Sequence, residues 1–243
     1  DTLSRLYEVL YAGYNKEELG QAFIDEHEEL FSRYKNGKFH DVSCGNGVQA
    51  VALKQRGYEI SASDISEEML RLTKAYAMEK KVELSTFKSA WSDIKHYLNH
   101  RFDIVLCIGN SISHTRNYSE RVKTLKQFYE ILNEGGTLLL DTRNWDLLVE
   151  NKLTYSILKK RNHCGKTYVP IYVWDYVQLE RESLLRLVFI EFDGEGQTEY
   201  ERSITYTPFS HQALLEVCKE SGFVVEKDTF NKVEDRYYLY LKK

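Results

Sequence analysis

The stretch His40-Asp41-Val42-Ser43-Cys44-Gly45-Asn46-Gly47 decides the fold of this chain. A short strand starts near Lys38 and ends at Asp41–Ser43. A tight glycine turn follows, and Val48 to Arg56 then reads as a helix closed by Gly57. Strand, glycine turn and helix open a βαβ unit, where the backbone must turn sharply and approach a ligand with no Cβ in the way.

Downstream the alternation continues. A second strand, Tyr58–Ser63, runs to Asp64, and Ser66 caps a helix with Glu67 and Glu68 in its first turn, where the helix dipole favours acids. Val82–Phe87 and Phe102–Ile108 read as strands three and four. A helix from about Tyr118 to Leu132 stops at Asn133-Glu134-Gly135-Gly136, and Thr137–Asp141 is strand five. Strands alternating with helices predict a parallel sheet covered on both faces. Upstream, Asn15 caps a helical segment carrying Leu19, Phe23, Ile24, His27, Leu30 and Phe31 on one face. After Trp145 the period changes: residues 150–206 alternate in β fashion, with a hairpin turn at Asp193-Gly194-Glu195-Gly196. Ser210 caps a last helix to about Glu220, and strands Phe223–Lys227 and Arg236–Leu241 follow, the final one expected antiparallel. The expected organisation is a Rossmann-like α/β unit over 1–149 and 207–243, with a helical cap over 1–36 and an antiparallel β insertion or lid over 150–206.

Composition bounds the function. The 243 residues are 42% hydrophobic and 29% charged, as in ordinary globular chains. Net charge is -4 with acids and bases interspersed, which argues against a nucleic-acid partner. No apolar run approaches the ~18 residues that span a bilayer, and no signal peptide is read, so a cytoplasmic protein without a membrane partner is expected. Cys44, Cys107, Cys164 and Cys218 lie far apart with no CxxC pair and read as reduced thiols. His96 and His100 stand four apart without a third ligand, so a solvated helix face is expected there and no metal. The 18 tyrosines are unusual.

Asp64 ends the second strand, 19 residues beyond Gly45, where a carboxylate can accept both ribose hydroxyls of a nucleoside. Asp41, just before the turn, suits a cationic amino-acid group and would repel a pyrophosphate, and the turn lacks the third glycine of a dinucleotide fingerprint. Asp41, Gly45 and Gly47, with Ser43 in place of the first glycine, resemble the Asp-x-Gly-x-Gly-x-Gly motif of class I S-adenosylmethionine-dependent methyltransferases. The resemblance implies S-adenosylmethionine as cofactor, a seven-stranded sheet, and a cofactor site of Asp41, Ser43, Gly45, Gly47, Asp64, Ile65 and Met69. It further implies Ala90 and Trp91 flanking the adenine and Ile108 beneath the other side. Trp91 could equally be core.

Two segments reach the carboxyl end of the sheet with unexpected polar residues: Gly109-Asn110-Ser111-Ile112-Ser113-His114 and Asp141-Thr142-Arg143-Asn144-Trp145-Asp146. With Tyr11-Ala12-Gly13 and Ala90-Trp91, they resemble glycine N-methyltransferases and the glycine/sarcosine N-methyltransferases of betaine synthesis. The likeness runs from about Tyr11 to Trp145 and again around Tyr206–Pro208. It implies N-methylation of glycine, continuing to sarcosine, with Arg143 gripping the glycine carboxylate and Asn110 orienting the substrate. A guanidinium binds carboxylate bidentately, which fixes the direction of the amine as well as its place, and an asparagine can donate or accept. The alternative for Arg143 is a structural bridge to Asp141 or Asp146. His114 either lines the site or bonds a loop carbonyl, and Tyr11 and Tyr206 are either active-site tyrosines or half-buried surface aromatics. The inserted segment departs from the animal glycine enzymes, so Tyr168, Tyr172 and Tyr176 receive no role. Another small amine or amino acid stays open as acceptor, and monomer and homo-oligomer are undecided. A nucleic-acid base methyltransferase would carry an Asn/Asp-Pro-Pro-aromatic run where this chain has Gly109-Asn110-Ser111.

Overall fold

Five strands, β1 (Lys38–Asp41), β2 (Glu59–Asp64), β3 (Ser85–Lys88), β4 (Phe102–Cys107) and β5 (Leu132–Arg143), pair in parallel in the computed structural model, which describes residues 9, 10 and 12–243. Two further strands, β11 (Val224–Asp228) and β12 (Arg236–Lys242), add antiparallel to the β5 edge, giving the order β11-β12-β5-β4-β1-β2-β3. This is the expected α/β fold with an antiparallel last strand. A second, antiparallel sheet follows β5 in the chain, built from β6 (Tyr155–Ile157), β7 (Arg161–His163), β8 (Lys166–Tyr176), β9 (Ser183–Phe192) and β10 (Gln197–Tyr206).

Both faces of the main sheet are covered by apolar side chains, as a parallel sheet requires. On one face Phe23, Leu30, Phe31 and Leu53 pack against Phe39, Ile104 and Leu139. On the other, Val122, Leu125 and Phe128 meet Val105 and Leu140, and Trp174 and Leu185 of the second sheet join the same core.

Local chemistry explains where elements begin and end. Asn15 accepts the amides of Glu17 and Glu18 and starts the helix Lys16–Glu26; Ser66 accepts the Met69 amide and starts Glu67–Glu79. The single amino-terminal helix expected from the sequence breaks at His27. There the ring turns inward, with Nδ1 2.6 Å from the Tyr240 hydroxyl, and a second helix, Glu28–Arg33, follows.

Other expectations are corrected. Strand three begins at Ser85 rather than Val82, because Lys81 takes a left-handed conformation and the Val82 amide returns to the Ala77 carbonyl to close the preceding helix. Strand five starts at Leu132, which pairs with Phe102; the Asn133–Gly136 segment is an irregularity inside the strand and not its forerunner. Strand five also extends to Arg143, so this arginine stands in the sheet rather than in a loop beyond it. His96 belongs to a 3-10 helix, Trp91–Tyr97, that ends before His100, so the two do not share a helix face.

Candidate active site

The glycine turn is fastened to its neighbours on three sides. The Gly45 amide donates to Asp64 Oδ2 at 2.9 Å, the Gly45 carbonyl accepts from Thr73 Oγ1 at 2.8 Å, and the Cys44 amide bonds the Ser63 carbonyl. Gly47 has φ of +80°, and a Cβ there would lie 2.8 Å from Thr73 Cγ2, so only glycine lets the turn close on the helix behind it. Asp64 also accepts the Ser66 amide through Oδ1 at 2.8 Å. Two backbone donors thus fix the carboxylate at the carboxyl end of β2, with lone pairs to spare.

Above this turn opens a cavity of about 1010 Å³. Ser43, Gly45, Asp64, Ile65, Met69, Ala90, Trp91, Ile108, His114 and Tyr206, all named from the sequence, line it. Trp91 packs into the core and also walls the cavity: its Nε1 donates to the Val42 carbonyl at 2.8 Å and its ring packs edge-on to Phe128. Ile65 is an exposed aliphatic wall. His114 likewise lines the cavity and also places Nδ1 3.1 Å from the Thr205 carbonyl; burial lowers its pKa against that carbonyl and the nearby Asp64. Among the other lining residues, Asn46, Gln49, Thr115, Lys123, Ser203 and Ile204 received no role from the sequence.

The donor set fits a nucleoside with a charged amino-acid arm: an anchored carboxylate for hydroxyls, an aromatic and an aliphatic wall for a base, and a glycine turn open to close approach.

Asp41, Gly47, Asn110 and Arg143 do not line this cavity, and Tyr11 lies outside the described residues. Asp41 is 1% exposed; Oδ1 accepts the Ser43 amide at 3.0 Å, and Oδ2 has no partner. Burial first, then Asp64 and Asp141, raise its carboxyl to about 7. Asn110 is held at φ +64°: its amide donates to Asp141 Oδ1 at 2.8 Å, and its Oδ1 accepts from Thr142 Oγ1 and from the Arg143 amide. It therefore staples the segment after β4 to the end of β5.

Arg143 has no carboxylate within ion-pair distance among the described residues, and its buried Nε has no hydrogen-bond partner. Neither bridge considered from the sequence is formed. Asp141 pairs with Arg236, and Asp146 accepts the His211 amide at 2.7 Å. The guanidinium carbon lies 5.8 Å from the Trp174 ring. Burial and the Arg236 charge lower its pKa, opposed by Tyr206, Tyr172 and Asp235. Tyr206 links the two regions: its ring stacks on His114 at 4.6 Å and lies 5.6 Å from Trp145 and 6.0 Å from Trp174. Tyr172 and Trp174 are two residues apart on one face of β8, so the period-two aromatic pattern of the insertion was the signal for this wall.

Comparison with known proteins places this geometry. Residues 39–136 match a family described as a methyltransferase domain. A glycine/sarcosine N-methyltransferase from Aphanothece halophytica is 36% identical over 110 residues, 45% of this chain and 42% of that protein. The chain thus spans less than half the length of this relative. A putative methyltransferase from Geobacillus sp. (strain WCH70) is 29% identical over 210 residues, covering 84% of this chain and 81% of that one. The solved structure of an amino pentose methyltransferase from Micromonospora echinaspora, with S-adenosylmethionine bound, matches with a TM-score of 0.75 at 13% identity, covering 100% of this chain and 96% of that chain, a likeness of fold. No described helix is long and apolar enough to cross a membrane.

Proposed function

We propose, from the premise that this chain carries a class I S-adenosylmethionine-dependent methyltransferase domain, that it methylates the amino nitrogen of glycine and of its first product, sarcosine. The observation that carries this reading is Arg143, a guanidinium with a buried, unpartnered Nε and no described carboxylate within ion-pair distance. A cation kept in that state is a poor structural element and a strong receptor for a carboxylate.

In the proposed reaction the bound cofactor supplies an activated methyl group on a sulfonium. The neutral amine attacks the methyl carbon, a carbon–nitrogen bond forms, and the carbon–sulfur bond breaks with its electron pair going to sulfur. The proton leaves the new ammonium for water. This chain's residues act by placement. Asp64 holds the nucleoside hydroxyls, Trp91 and Ile65 hold the base, and the Ser43–Gly45 turn, braced from beneath by Asp41 through the Ser43 amide, receives the amino-acid arm. Arg143 fixes the acceptor carboxylate, while Asn110 fixes the backbone that presents Arg143. Tyr206, stacked on His114 at the cavity and close to Trp174 beside Arg143, would stand between donor and acceptor, and a cytoplasmic site of action would supply both.

An acceptor screen tests the proposal. Glycine, sarcosine, dimethylglycine and glycinamide are incubated with the full chain and S-adenosylmethionine, and products are identified by mass. Methylated glycine and sarcosine, with little product from the amide, support it. Methylation only of amines lacking a carboxylate overturns it in favour of a different small-amine acceptor.

A further inference from the structure

Arg143 and Arg236 are Cα partners across the antiparallel pair β5–β12, which puts two guanidiniums opposite each other on one side of the sheet. Asp141 stands two residues before Arg143 on β5 and so shares that side. One carboxylate is therefore within side-chain reach of two arginines. It is 5% exposed and bonds Arg236 diagonally across the strands through Oδ2, while Oδ1 holds the Asn110 amide.

We infer that Arg236 is a positioning residue that keeps the acceptor site open by engaging Asp141, the carboxylate that would otherwise occupy Arg143. The inference rests on Arg143 being the carboxylate clamp. The reasoning is one of competition. An internal carboxylate tethered two residues away acts at a high effective concentration on Arg143 and would outcompete a free amino acid. Arg236 removes this competitor by taking its charge. The same pairing keeps Asp141 from the Arg143 guanidinium, and the Arg236 charge that faces Arg143 across the strands is one an incoming carboxylate would offset. Arg236 touches neither donor nor acceptor in this scheme, and its effect is transmitted through Asp141.

The test uses the full chain, glycine as acceptor, and three variants: Arg236→Gln, Arg236→Lys, and the double variant Arg236→Gln with Asp141→Asn. Asparagine at 141 keeps an oxygen for the Asn110 amide but offers Arg143 no charge. Arg236→Gln is expected to raise the glycine KM by about tenfold, with kcat and S-adenosylmethionine affinity within about twofold. The double variant is expected to return KM to near the wild-type value, which a merely structural role for Arg236 would not do. Arg236→Lys, which retains a cation for Asp141, is expected to hold KM within about threefold, and it remains informative if the glutamine variant does not fold. An unchanged KM in Arg236→Gln, a double variant no better than the single one, or a lysine variant with KM raised tenfold overturns the inference while the carboxylate clamp stands. Equal use of glycine and glycinamide by the wild type removes the clamp, and the inference with it.

Discussion

Asp64 Oδ2 accepts the Gly45 amide across 2.9 Å, tying the end of β2 to the turn after β1. The carboxylate that faces the cavity is thus also a fastening of the cavity floor. Asp64→Ala is expected to weaken S-adenosylmethionine binding by about 1.5–3 kcal/mol, the range for a hydrogen bond to a charged group. Because the Gly45 and Ser66 amides both lose their acceptor, the melting temperature should fall as well. Asp64→Asn, which retains one oxygen, should fall between the two. Calorimetric titration and a thermal melt on each variant check this; unchanged affinity in the alanine variant would remove Asp64 from the cofactor site.

Asp41 makes a prediction about pH. Its carboxyl is raised to about 7, so between about pH 4 and pH 7 the folded chain keeps a proton that the unfolded chain gives up. Stability therefore decreases as pH climbs through that window, and the penalty, roughly 4 kcal/mol at most for a shift of this size, is fully present above it. Asp41→Asn should flatten this part of the stability curve. A cationic group brought to Oδ2 would reverse the sign for binding: cofactor affinity should strengthen as pH rises through about 7, with release of a proton. Titrations in buffers of different ionisation heat detect that release, and a pH-independent affinity would detach Asp41 from the ligand.

The glycine turn, Asp64 and the alternation of helices and strands were legible because each is local: turn geometry, capping and periodicity are written in neighbouring residues. The start of strand five is hidden because Asn133–Gly136 carries every sign of a stop, and only pairing with Phe102 shows that the strand has already begun. Arg143 was found as a residue but not as a member of the sheet. Its place opposite Arg236, 93 residues later, is a register fixed by the packing of β12, not by any nearby residue. The aromatic rhythm of Tyr168, Tyr172 and Trp174 was visible in the insertion, but a rhythm does not say which site its face will cover. The burial of Asp41, and hence its raised pKa, likewise has no local signature.

Asn110 combines a left-handed backbone with two accepted hydrogen bonds. Asn110→Ala leaves the Arg143 amide without its acceptor, while the Thr142 hydroxyl keeps the Arg143 carbonyl 3.3 Å away; the cost is about 1–3 kcal/mol. It also loses a residue tolerant of positive φ, at about 1 kcal/mol more. Asn110→Gly recovers only the second contribution and should be the more stable of the two in urea denaturation. Turnover should fall in both, with cofactor affinity held within a few-fold, because the residue supports the acceptor side. A collapse of cofactor binding would assign Asn110 to the other side of the site, and equal stability of the two variants would remove the backbone argument.

Arg143→Lys separates a clamp from a prop. The lysine keeps the charge but loses the planar fork that holds a carboxylate in one orientation, so the amine should bind less well and point less reliably at the methyl group. The kcat/KM for glycine is expected to fall by about 100-fold or more, in keeping with the cost of misplacing a reacting group. For glycinamide, which the fork does not grip, the wild-type rate should already be low and the variant should change it little, so discrimination between the two acceptors should shrink. A supporting role predicts the reverse: stability drops and the ratio of the two rates stays where it was. The structure already weighs against a prop, since Asp141 and Asp146 are engaged by Arg236 and by the His211 amide, leaving nothing among the described carboxylates for Arg143 to brace. Stability by thermal melt and kcat/KM for both acceptors, in wild type and variant, decide between them; an unchanged ratio with a lower melting temperature would end the case for Arg143 as the acceptor's receptor.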